Sequence, residues 1–390
     1  IQMTAALHAL DKTDRNGYVF TSESVSEGHP DKVCDQISDA ILDAYLAADP
    51  HSKVACETLA TENRIILSGE ISSKATVDIE SIVRKTIQEI GYTSPNKGFD
   101  YNCQINNYLH RQESALEENT GAGDQGLMFG YACSQTQNMM PLPIELAHKL
   151  LFNLATARKK GTIKHLLPDS KSQVSMRYLG RKAVDLKCLV ISTHHDILTE
   201  MEFEELKEQI QQLIIIPSIR DIEDGCKGYF ETKNCEIKIN PLGPWQDGGP
   251  AFDTGLTGRK IIVDTYGGWA QHGGGAFSGK DATKVDRSAA YMGRHIAKSI
   301  VASGLADECL IQFSFVIGEQ KPISLMVDTF GSGKESDAEI ERIIAKNFDL
   351  TVSGIIDYLN LRKPIYFPTA SYGHFGRDNF SWERVKKITR

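Results

Sequence analysis

The sequence predicts an α+β fold of three similar domains, each a layer of helices on a mainly antiparallel sheet. The first observation is a recurring order of elements, in which a long helix is followed by two strands and a short helix. The second observation is length. A chain of 390 residues exceeds what one ordinary hydrophobic core supports, so two or three domains are expected. The alternative is one large α/β domain in which this spacing is coincidental.

The hydrophobic pattern of each unit justifies its elements in order. In residues 31–47, apolar side chains recur at the i, i+3, i+4 spacing of a helix packed on one side. Strand-like runs at 54–60 and 65–71 follow, and then an amphipathic helix near 77–90. The second unit repeats this order with a helix at 142–158, strands at 173–178 and 183–193, and a helix at 202–213. The third has a helix at 284–303, strands at 310–317 and 323–330, and a helix at 336–346. A separate strand is predicted at 261–264.

The composition excludes several classes of protein. No apolar run is long enough to cross a bilayer, so no membrane partner is expected. The N-terminal residues lack a basic stretch followed by an apolar one, so no secretory signal is predicted and a cytoplasmic location is expected. Eight dispersed cysteines without a C-x-x-C pair indicate reduced thiols. The net charge of −8 argues against nucleic acid as the main partner.

The most informative loop is Gly-Gly-Gly-Ala-Phe-Ser-Gly-Lys-Asp at 273–281, just before a predicted helix. Glycine allows successive backbone N–H groups to turn towards an anion, and the helix N-terminus adds its partial positive charge. Asp281 stands where a Walker A motif has its Mg²⁺-binding hydroxyl, so the loop predicts a phosphate site other than a P-loop. A glycine-rich turn with a solvated lysine is the alternative.

Positive charge is concentrated near this loop. Its cations are Arg259, Lys260, Lys280, Lys284 and Arg287. Such a cluster repels itself unless an anion or carboxylates offset it. The first four of these cations, together with Asp286, suit a polyphosphate and Mg²⁺. A salt-bridged surface is the alternative.

Two more glycine-containing loops precede long helices, and all three loops are expected to converge on one cleft. In Gly28–Lys32, His29 can face an anion, and Asp31 lies at the positive end of the helix dipole, where it is a candidate for binding Mg²⁺. A helix cap is the alternative for Asp31. Asp35 and Asp39 follow on the same helix face and are predicted to be solvated.

The remaining candidates are individually weaker. Asp124, in the glycine-dense loop 121–126, either accepts hydrogen bonds from a ribose or base or holds its own turn. Glu57 and Glu70 lie in apolar strand runs, where a buried carboxylate needs a partner. Glu70 is a candidate for a ligand ammonium and Glu57 for a metal ion, and a water-facing strand edge is the alternative for both. Lys171 enters a strand from a loop.

Together these loops resemble the S-adenosylmethionine synthetase family over most of the chain, from about residue 17 to 381. The shared motifs are Gly-His-Pro-Asp-Lys at 28–32, Gly-Ala-Gly-Asp-Gln-Gly at 121–126, Gly-Leu-Thr-Gly-Arg-Lys at 255–260 and Gly-Gly-Gly-Ala-Phe-Ser at 273–278. The resemblance implies three domains around an approximate threefold axis, and we place their boundaries at 17–118, 119–245 and 246–390. It also implies a homodimer that can pair into a tetramer, with active sites between subunits.

The reaction implied by the resemblance converts ATP, L-methionine and water into S-adenosylmethionine, phosphate and diphosphate, with Mg²⁺, two ions per site, and K⁺. By position, the polyphosphate contacts would be His29, Lys171, Arg259, Lys260 and Lys280, of which all but Lys260 are candidate catalytic residues. The nucleoside contacts would be Asp169, Trp245, Asp253 and Ala276. The methionine contacts would be Glu70, Gln112, Asp124, Asp253 and Lys284. The metal contacts would be Asp31 and Asp286 for Mg²⁺ and Glu57 for K⁺.

The implied chemistry agrees with the residues present. A thioether sulfur carries no proton, so its attack on C5′ needs no general base. The barrier arises from charge on the departing triphosphate, which fixed cations stabilise. Two departures from the family pattern predict altered kinetics: Pro244-Trp245 stands where Arg-Phe is common, and the lid segment 112–120 is short. The rival hypotheses are an ATP-dependent phosphotransferase and a non-catalytic nucleotide-binding partner of a synthetase.

Overall fold

The computed structural model describes residues 17–112, 119–226 and 228–389. Its strands are β1 (Gly17–Val25), β2 (Lys53–Thr61), β3 (Arg64–Ser72), β4 (Gln104–Arg111), β5 (Gly126–Cys133), β6 (Leu166–Leu179), β7 (Lys182–His195), β8 (Glu236–Ile239), β9 (Gly255–Leu256), β10 (Glu308–Phe315) and β11 (Ser324–Asp328). Its α-helices are α1 (Pro30–Ala48), α2 (Ile79–Ile90), α3 (Leu142–Lys159), α4 (Glu200–Ile210), α5 (Ile216–Gly225), α6 (Ile261–Asp264), α7 (Val285–Ala302), α8 (Asp337–Asn347) and α9 (Val352–Tyr358).

The strands form three sheets built on one repeated hairpin, with the orders β1-β6-β7-β8, β4-β3-β2-β9 and β11-β10-β5. The antiparallel hairpins β6–β7 and β2–β3 lie at the centres of the four-stranded sheets, and β10–β11 lies at one edge of the three-stranded sheet. Each hairpin follows a long helix and precedes a shorter one in the chain. The free edge of its first strand pairs antiparallel with a strand from another unit. The predicted fold class, three similar α+β domains with mainly antiparallel sheets, is therefore confirmed.

Strand exchange connects the three units in a ring. Strand β1 precedes α1 in the chain but pairs with β6, strand β5 precedes α3 but pairs with β10, and β9 precedes α7 but pairs with β2. Each unit thus contributes one strand to another unit's sheet. Because sheet membership crosses the chain order, the predicted boundaries at 118 and 245 remain a division of the sequence and stay a prediction.

The long helices begin and end where their residues dictate. In α1, Pro30 occupies the first turn, where its missing N–H costs nothing, and His29 is the N-cap. Its apolar face enters a core shared with α7, while α3 packs on a separate core around β6 and β7. The predicted helix at 202–213 continues beyond α4 through a π-helical turn, Gln211–Ile215, into α5.

The strand predicted at 261–264 is wrong. These residues form the helical turn α6, in which the Asp264 N–H donates to the Lys260 carbonyl oxygen at 2.8 Å. Three consecutive β-branched residues favour a strand locally, but the turn is fixed at both ends by tertiary contacts. Asp264 bonds buried Lys32, and Gly267 packs against Ser22. Within the described part of the chain, no helix is long and apolar enough to span a bilayer.

Helix α7 lies directly on strand β5 through two glycines. A Cβ added at Gly130 would lie 1.9 Å from the carbonyl carbon of Gly293, which is a backbone atom that cannot turn aside. We expect Gly130→Ala to lower the free energy of unfolding by about 3 kcal/mol, because overpacking forces the helix and strand apart. Urea denaturation measures this loss. Gly225→Ala is the matched control, because its nearest new contact would be at 3.9 Å. Equal stability of both variants would contradict the close approach.

Candidate active site

The predicted loops meet at one place in the structure. The Leu256 N–H donates to Asp31 Oδ1 at 2.9 Å, which joins loop 255–260 to loop 28–32. A Cβ on Gly258 would lie 2.5 Å from the Ala276 Cβ, so loop 255–260 also touches loop 273–281. The Gly123 N–H donates to the Thr283 carbonyl oxygen at 3.2 Å. Four segments far apart in sequence therefore build one glycine-lined surface.

Asp31 is the centre of the first charge group. Lys260 forms a hydrogen-bonded ion pair with Asp31 Oδ2, and Arg259 lies 3.8 Å from Oδ1. Burial favours the neutral acid, but the bonds from Lys260 and the Leu256 N–H hold the pKa of Asp31 below its usual value. Asp31 is thus an ionised carboxylate with two cations beside it, one of them more than half exposed.

The second charge group lies at the start of α7. Lys280 Nζ is 2.7 Å from Asp286 Oδ2, and Lys284 pairs with buried Asp281. Lys171, exposed on β6, has no carboxylate within ion-pair distance among the described residues. In this arrangement most of the predicted cations are offset by carboxylates, which is the salt-bridged alternative raised by the sequence. Exchange of these partners for a polyphosphate and Mg²⁺ would keep each charge compensated.

Two predictions about charges were wrong, and both concern aspartates of α1. Arg287, the fifth cation of the positive segment, is fully buried and forms a two-bond ion pair with Asp39, at 2.7 and 2.8 Å. Asp35 and Asp39, predicted to be solvated, are completely buried. The like-charge repulsion along α1 is relieved because Lys32 and Arg287 supply buried cations.

The buried aspartates hold the functional loops. Asp35 Oδ1 accepts the Gly258 N–H at 2.9 Å, and Asp39 Oδ1 accepts the Gly279 N–H at 2.8 Å. They therefore fix the backbone immediately before Arg259 and Lys280. Sequence reasoning missed this role, although the row of three aspartates on one helix face was its signal.

His29 is a neutral hydrogen-bonding group. Burial, with Lys260 nearby, lowers the pKa of His29 to about 3. Its Nδ1 accepts the Asp31 N–H at 3.2 Å, so the ring proton resides on Nε2. His29 can therefore donate one hydrogen bond from Nε2 to an anion without adding a full positive charge.

Asp169 is the least satisfied carboxylate near these loops. Its Oδ2 accepts the Gly249 N–H at 3.0 Å, but its buried Oδ1 has no partner. Burial raises the pKa of Asp169 to about 7. A ligand donor at Oδ1 would remove this desolvation cost, which fits the predicted nucleoside contact.

Asp169 gives a prediction for the pH dependence of stability. Its folded pKa is raised above 3.8, so its neutral form stabilises the fold at low pH and this contribution is lost as pH rises through about 7. Asn at this position cannot titrate. Between pH 5 and pH 8 we therefore expect the parent chain to lose on the order of 2 kcal/mol more unfolding free energy than Asp169→Asn loses. Other titrating groups cancel in this comparison, which urea denaturation at both pH values provides. A parallel pH dependence of the two proteins would refute it.

The other predicted residues lie at the edges of this surface. Glu57 is exposed on β2, next to Cys56, whose N–H donates to the Gly279 carbonyl oxygen at 2.9 Å. Glu70 on β3 lies opposite Ala55 on β2, and the backbone of Ala55 forms a β-bridge with Lys280. The Oε1 atom of Glu70 is 3.7 Å from His110 Nε2.

Asp124 and the aromatic candidate have local partners. Asp124 is exposed and its Oδ1 accepts the Gln125 N–H at 2.7 Å, so it holds its own turn. Trp245 is half-buried, with its ring centroid 6.0 Å from that of His194. Asp253 is exposed, and Gln112 has a buried Oε1 without a partner. Most of the predicted lid, residues 113–118, lies outside the described residues.

The carboxylates suit a metal only together with a ligand. Within residues 17–112, 119–226 and 228–389, no group of three or more His, Cys, Asp or Glu side chains is placed to hold an ion. Asp31 and Asp286 are single carboxylates, each beside a lysine. Mg²⁺ commonly takes one or two carboxylates and completes its coordination with water and substrate phosphates, so this donor set fits Mg²⁺ brought with a polyphosphate.

The fold and this surface define an α+β protein of three strand-exchanged units with a glycine-lined, cation-rich surface where their loops meet. Family models described as S-adenosylmethionine synthetase N-terminal, central and C-terminal domains match residues 17–114, 119–245 and 247–384. An S-adenosylmethionine synthase from Desulfosudis oleivorans is 49% identical over 384 residues, which cover 95% of this chain and 96% of that protein. The chain belongs to the S-adenosylmethionine synthetase family, and the predicted resemblance is confirmed.

Proposed function

We propose that this chain is an enzyme that transfers the adenosyl group of ATP to the sulfur of L-methionine and then hydrolyses the bound tripolyphosphate to phosphate and diphosphate. The observation that carries this proposal is the convergence of loops 28–32, 255–260 and 273–286 around the charge groups of Asp31 and Asp286. Family membership supports the same reaction.

The first step of the reaction requires charge stabilisation at the leaving group. Sulfur attacks C5′ in line, the C5′–O bond breaks, and the electron pair remains on the triphosphate. Lys171, Lys280 and Arg259 would stabilise this charge, and Lys260 would bind the same chain of phosphates. His29 would donate its Nε2–H to a phosphate oxygen. Fixed loops hold the backbone of these residues in place, so little reorganisation would be needed in the chemical step once the lysines are bound to phosphate.

Mg²⁺ fits Asp31 and Asp286, and when bound it would neutralise phosphate charge. The family resemblance suggests two Mg²⁺ per site and K⁺ at Glu57. Lys260 and Lys280 are paired with the carboxylates of Asp31 and Asp286. If the lysines turned to phosphate oxygens, Asp31 and Asp286 would be free to hold the metal. Each lysine keeps an anionic partner throughout this exchange.

The remaining residues would orient the substrates. We propose that Asp169, Trp245, Asp253 and Ala276 surround the nucleoside, and that Asp169 Oδ1 accepts a hydrogen bond there. Glu70, Gln112, Asp124, Asp253 and Lys284 would bind methionine, with carboxylates taking its ammonium group and Lys284 its carboxylate. Pro244 and the short segment 112–120 would alter KM or kcat. Steady-state constants equal to those of a variant with the common family loop would contradict that effect.

We further propose a cytoplasmic homodimer, or a dimer of dimers, in which partner residues complete each site. Large apolar side chains near the converging loops are exposed, including Leu127 and Phe252, and a partner subunit would cover them. The division into domains at 118 and 245 belongs to the same proposal.

The test of function follows the fate of ATP. With L-methionine and Mg²⁺, we expect methionine-dependent formation of S-adenosylmethionine, with phosphate and diphosphate released together. Formation of ADP and a phosphorylated acceptor would instead support a phosphotransferase. No turnover, with nucleotide binding retained, would support a non-catalytic partner of a synthetase.

A further inference from the structure

A separate cavity lies between helix α3 and the C-terminal segment 372–377. Its volume is about 240 Å³, and its walls include Met140, Glu145, His148, Phe152, Tyr372 and Arg377. None of the residues proposed to bind ATP or methionine lines it. Small-molecule sites usually combine apolar walls with a few convergent polar groups, and this cavity has both.

Three polar atoms of this cavity's walls are buried without a partner. They are Glu145 Oε2, His148 Nε2 and Arg377 Nε. The side chain of His148 is more than nine-tenths buried. Buried polar atoms in folded proteins nearly always have a hydrogen-bond partner, so three unpartnered atoms around one cavity call for an explanation.

Arg377 is the most costly of these groups. Its Nη2 donates to the carbonyl oxygens of Pro368 and Gly373, at 2.8 and 2.6 Å, but no carboxylate lies within ion-pair distance of it among the described residues. Burial lowers the pKa of Arg377 to about 10. The guanidinium is partly buried over the Phe380 ring, with its centre 4.5 Å from the ring centroid, and its Nε is the buried atom that an anionic ligand group would satisfy.

Glu145 supplies the opposite charge on the same cavity. Its Oε1 accepts from Asn138 Nδ2 at 2.6 Å, which leaves Oε2 free, and burial raises the pKa of Glu145. Among the described residues, Glu145 and Arg377 form no ion pair with each other. Lys149 also lines the cavity, but it pairs with Asp221 at 3.1 Å. Arg377 and Glu145 are therefore the two charged groups left to match a ligand that carries both an anion and an ammonium group.

The other walls determine the rest of the ligand. Phe152 and Tyr372 meet edge to face with ring centroids 5.6 Å apart, and Met140 and Phe375 continue the apolar lining. We propose that this cavity is a binding site for a free α-amino acid with an apolar side chain, whose carboxylate bonds Arg377 and whose ammonium group bonds Glu145.

The cavity is connected to the loop that carries His29 and Asp31. The Ser24 hydroxyl is 2.8 Å from His148 Nδ1, and the Glu27 N–H donates to the Tyr372 hydroxyl at 3.3 Å. Residues 24–27 lead directly into loop 28–32. Binding that orders these residues reduces the conformational cost of placing the loop on ATP, so occupancy is expected to lower the KM for ATP. This coupling, unlike the binding itself, rests on the proposed function.

The test is calorimetric titration of the full chain with L-leucine, which lacks a thioether, and with two analogues. The first, 4-methylpentanoate, lacks the ammonium group, and the second, 3-methylbutylamine, lacks the carboxylate. We expect L-leucine to bind at least about tenfold more tightly than either analogue, since each loses one charge-assisted bond. Glu145→Gln should remove the preference over 4-methylpentanoate, and Arg377→Gln the preference over 3-methylbutylamine.

Control variants separate this cavity from the catalytic loops and from folding. Glu70→Gln, which changes the proposed methionine site, and exposed Arg342→Gln should retain binding. Phe152→Ala, at the exposed edge of the cavity, should weaken binding several-fold even if Arg377→Gln fails to fold. Two results would overturn the site. The first is no binding of L-leucine up to about 10 mM. The second is binding that is lost in Glu70→Gln but kept in Glu145→Gln and Phe152→Ala. Binding with an unchanged KM for ATP overturns the coupling alone.

Discussion

Replacing Lys280 by methionine is expected to lower kcat for S-adenosylmethionine formation by about 10²- to 10³-fold. Methionine keeps the length of the side chain but removes the cation that would stabilise charge on the departing triphosphate. The folded protein should lose less than about 1 kcal/mol, since the Lys280–Asp286 pair is partly exposed to solvent. Steady-state kinetics and urea denaturation measure the two effects separately.

The control for Lys280→Met is the same substitution at Lys85, an exposed residue of α2 that pairs with Glu89 at 3.8 Å. It should leave both kcat and stability unchanged. Turnover of Lys280→Met equal to that of Lys85→Met would refute the role at the leaving group. A large loss of stability would instead show that the lysine is mainly structural.

Arg287→Met is expected to have the opposite profile, with a loss of about 3–5 kcal/mol in the free energy of unfolding. Arg287 is completely buried, and its removal leaves Asp39 as an uncompensated charge in the core. Because Asp39 also accepts the Gly279 N–H, the turn that carries Lys280 should loosen and kcat should fall as a consequence. Thermal and urea unfolding test the first effect.

A double-mutant cycle distinguishes the ion pair from simple packing loss. Arg287→Met combined with Asp39→Leu should be less destabilised than the sum of the two single variants, since no charge is left unpaired. Additive effects would contradict the proposed pairing energy. Arg342→Met, on the exposed face of α8, is the control and should change stability by less than about 0.5 kcal/mol.

The sequence predicted the order of elements well because each long helix and hairpin has a clear hydrophobic period. It could not predict that β1, β5 and β9 pair outside their own units, since sheet edges are chosen by tertiary packing. The strand at 261–264 failed for a related reason. Its residues prefer a strand locally, but the hydrogen bond from buried Lys32 to Asp264 holds the segment in a helical turn.

The meeting of the candidate loops was predicted better than the surroundings of their charged side chains. Glycine-rich loops and lysines indicated an anion site because few other functions need both. Burial overturned one prediction: Asp35 and Asp39 lie inside the core and are not solvated. A buried aspartate is recognised only when its partner cation is known. For Asp35 that cation is Lys32 on the same helix, and for Asp39 it is Arg287 from a distant segment.

The central claim is that phosphate groups replace carboxylates as the partners of these lysines. A crystal structure of the protein with L-methionine, Mg²⁺ and a non-hydrolysable ATP analogue tests it most directly. The account predicts Lys260 and Lys280 within hydrogen-bond distance of phosphate oxygens, with Lys171 and His29 Nε2 on the same phosphate chain. Lysines still bound to Asp31 and Asp286, with the analogue's phosphates elsewhere, would contradict it.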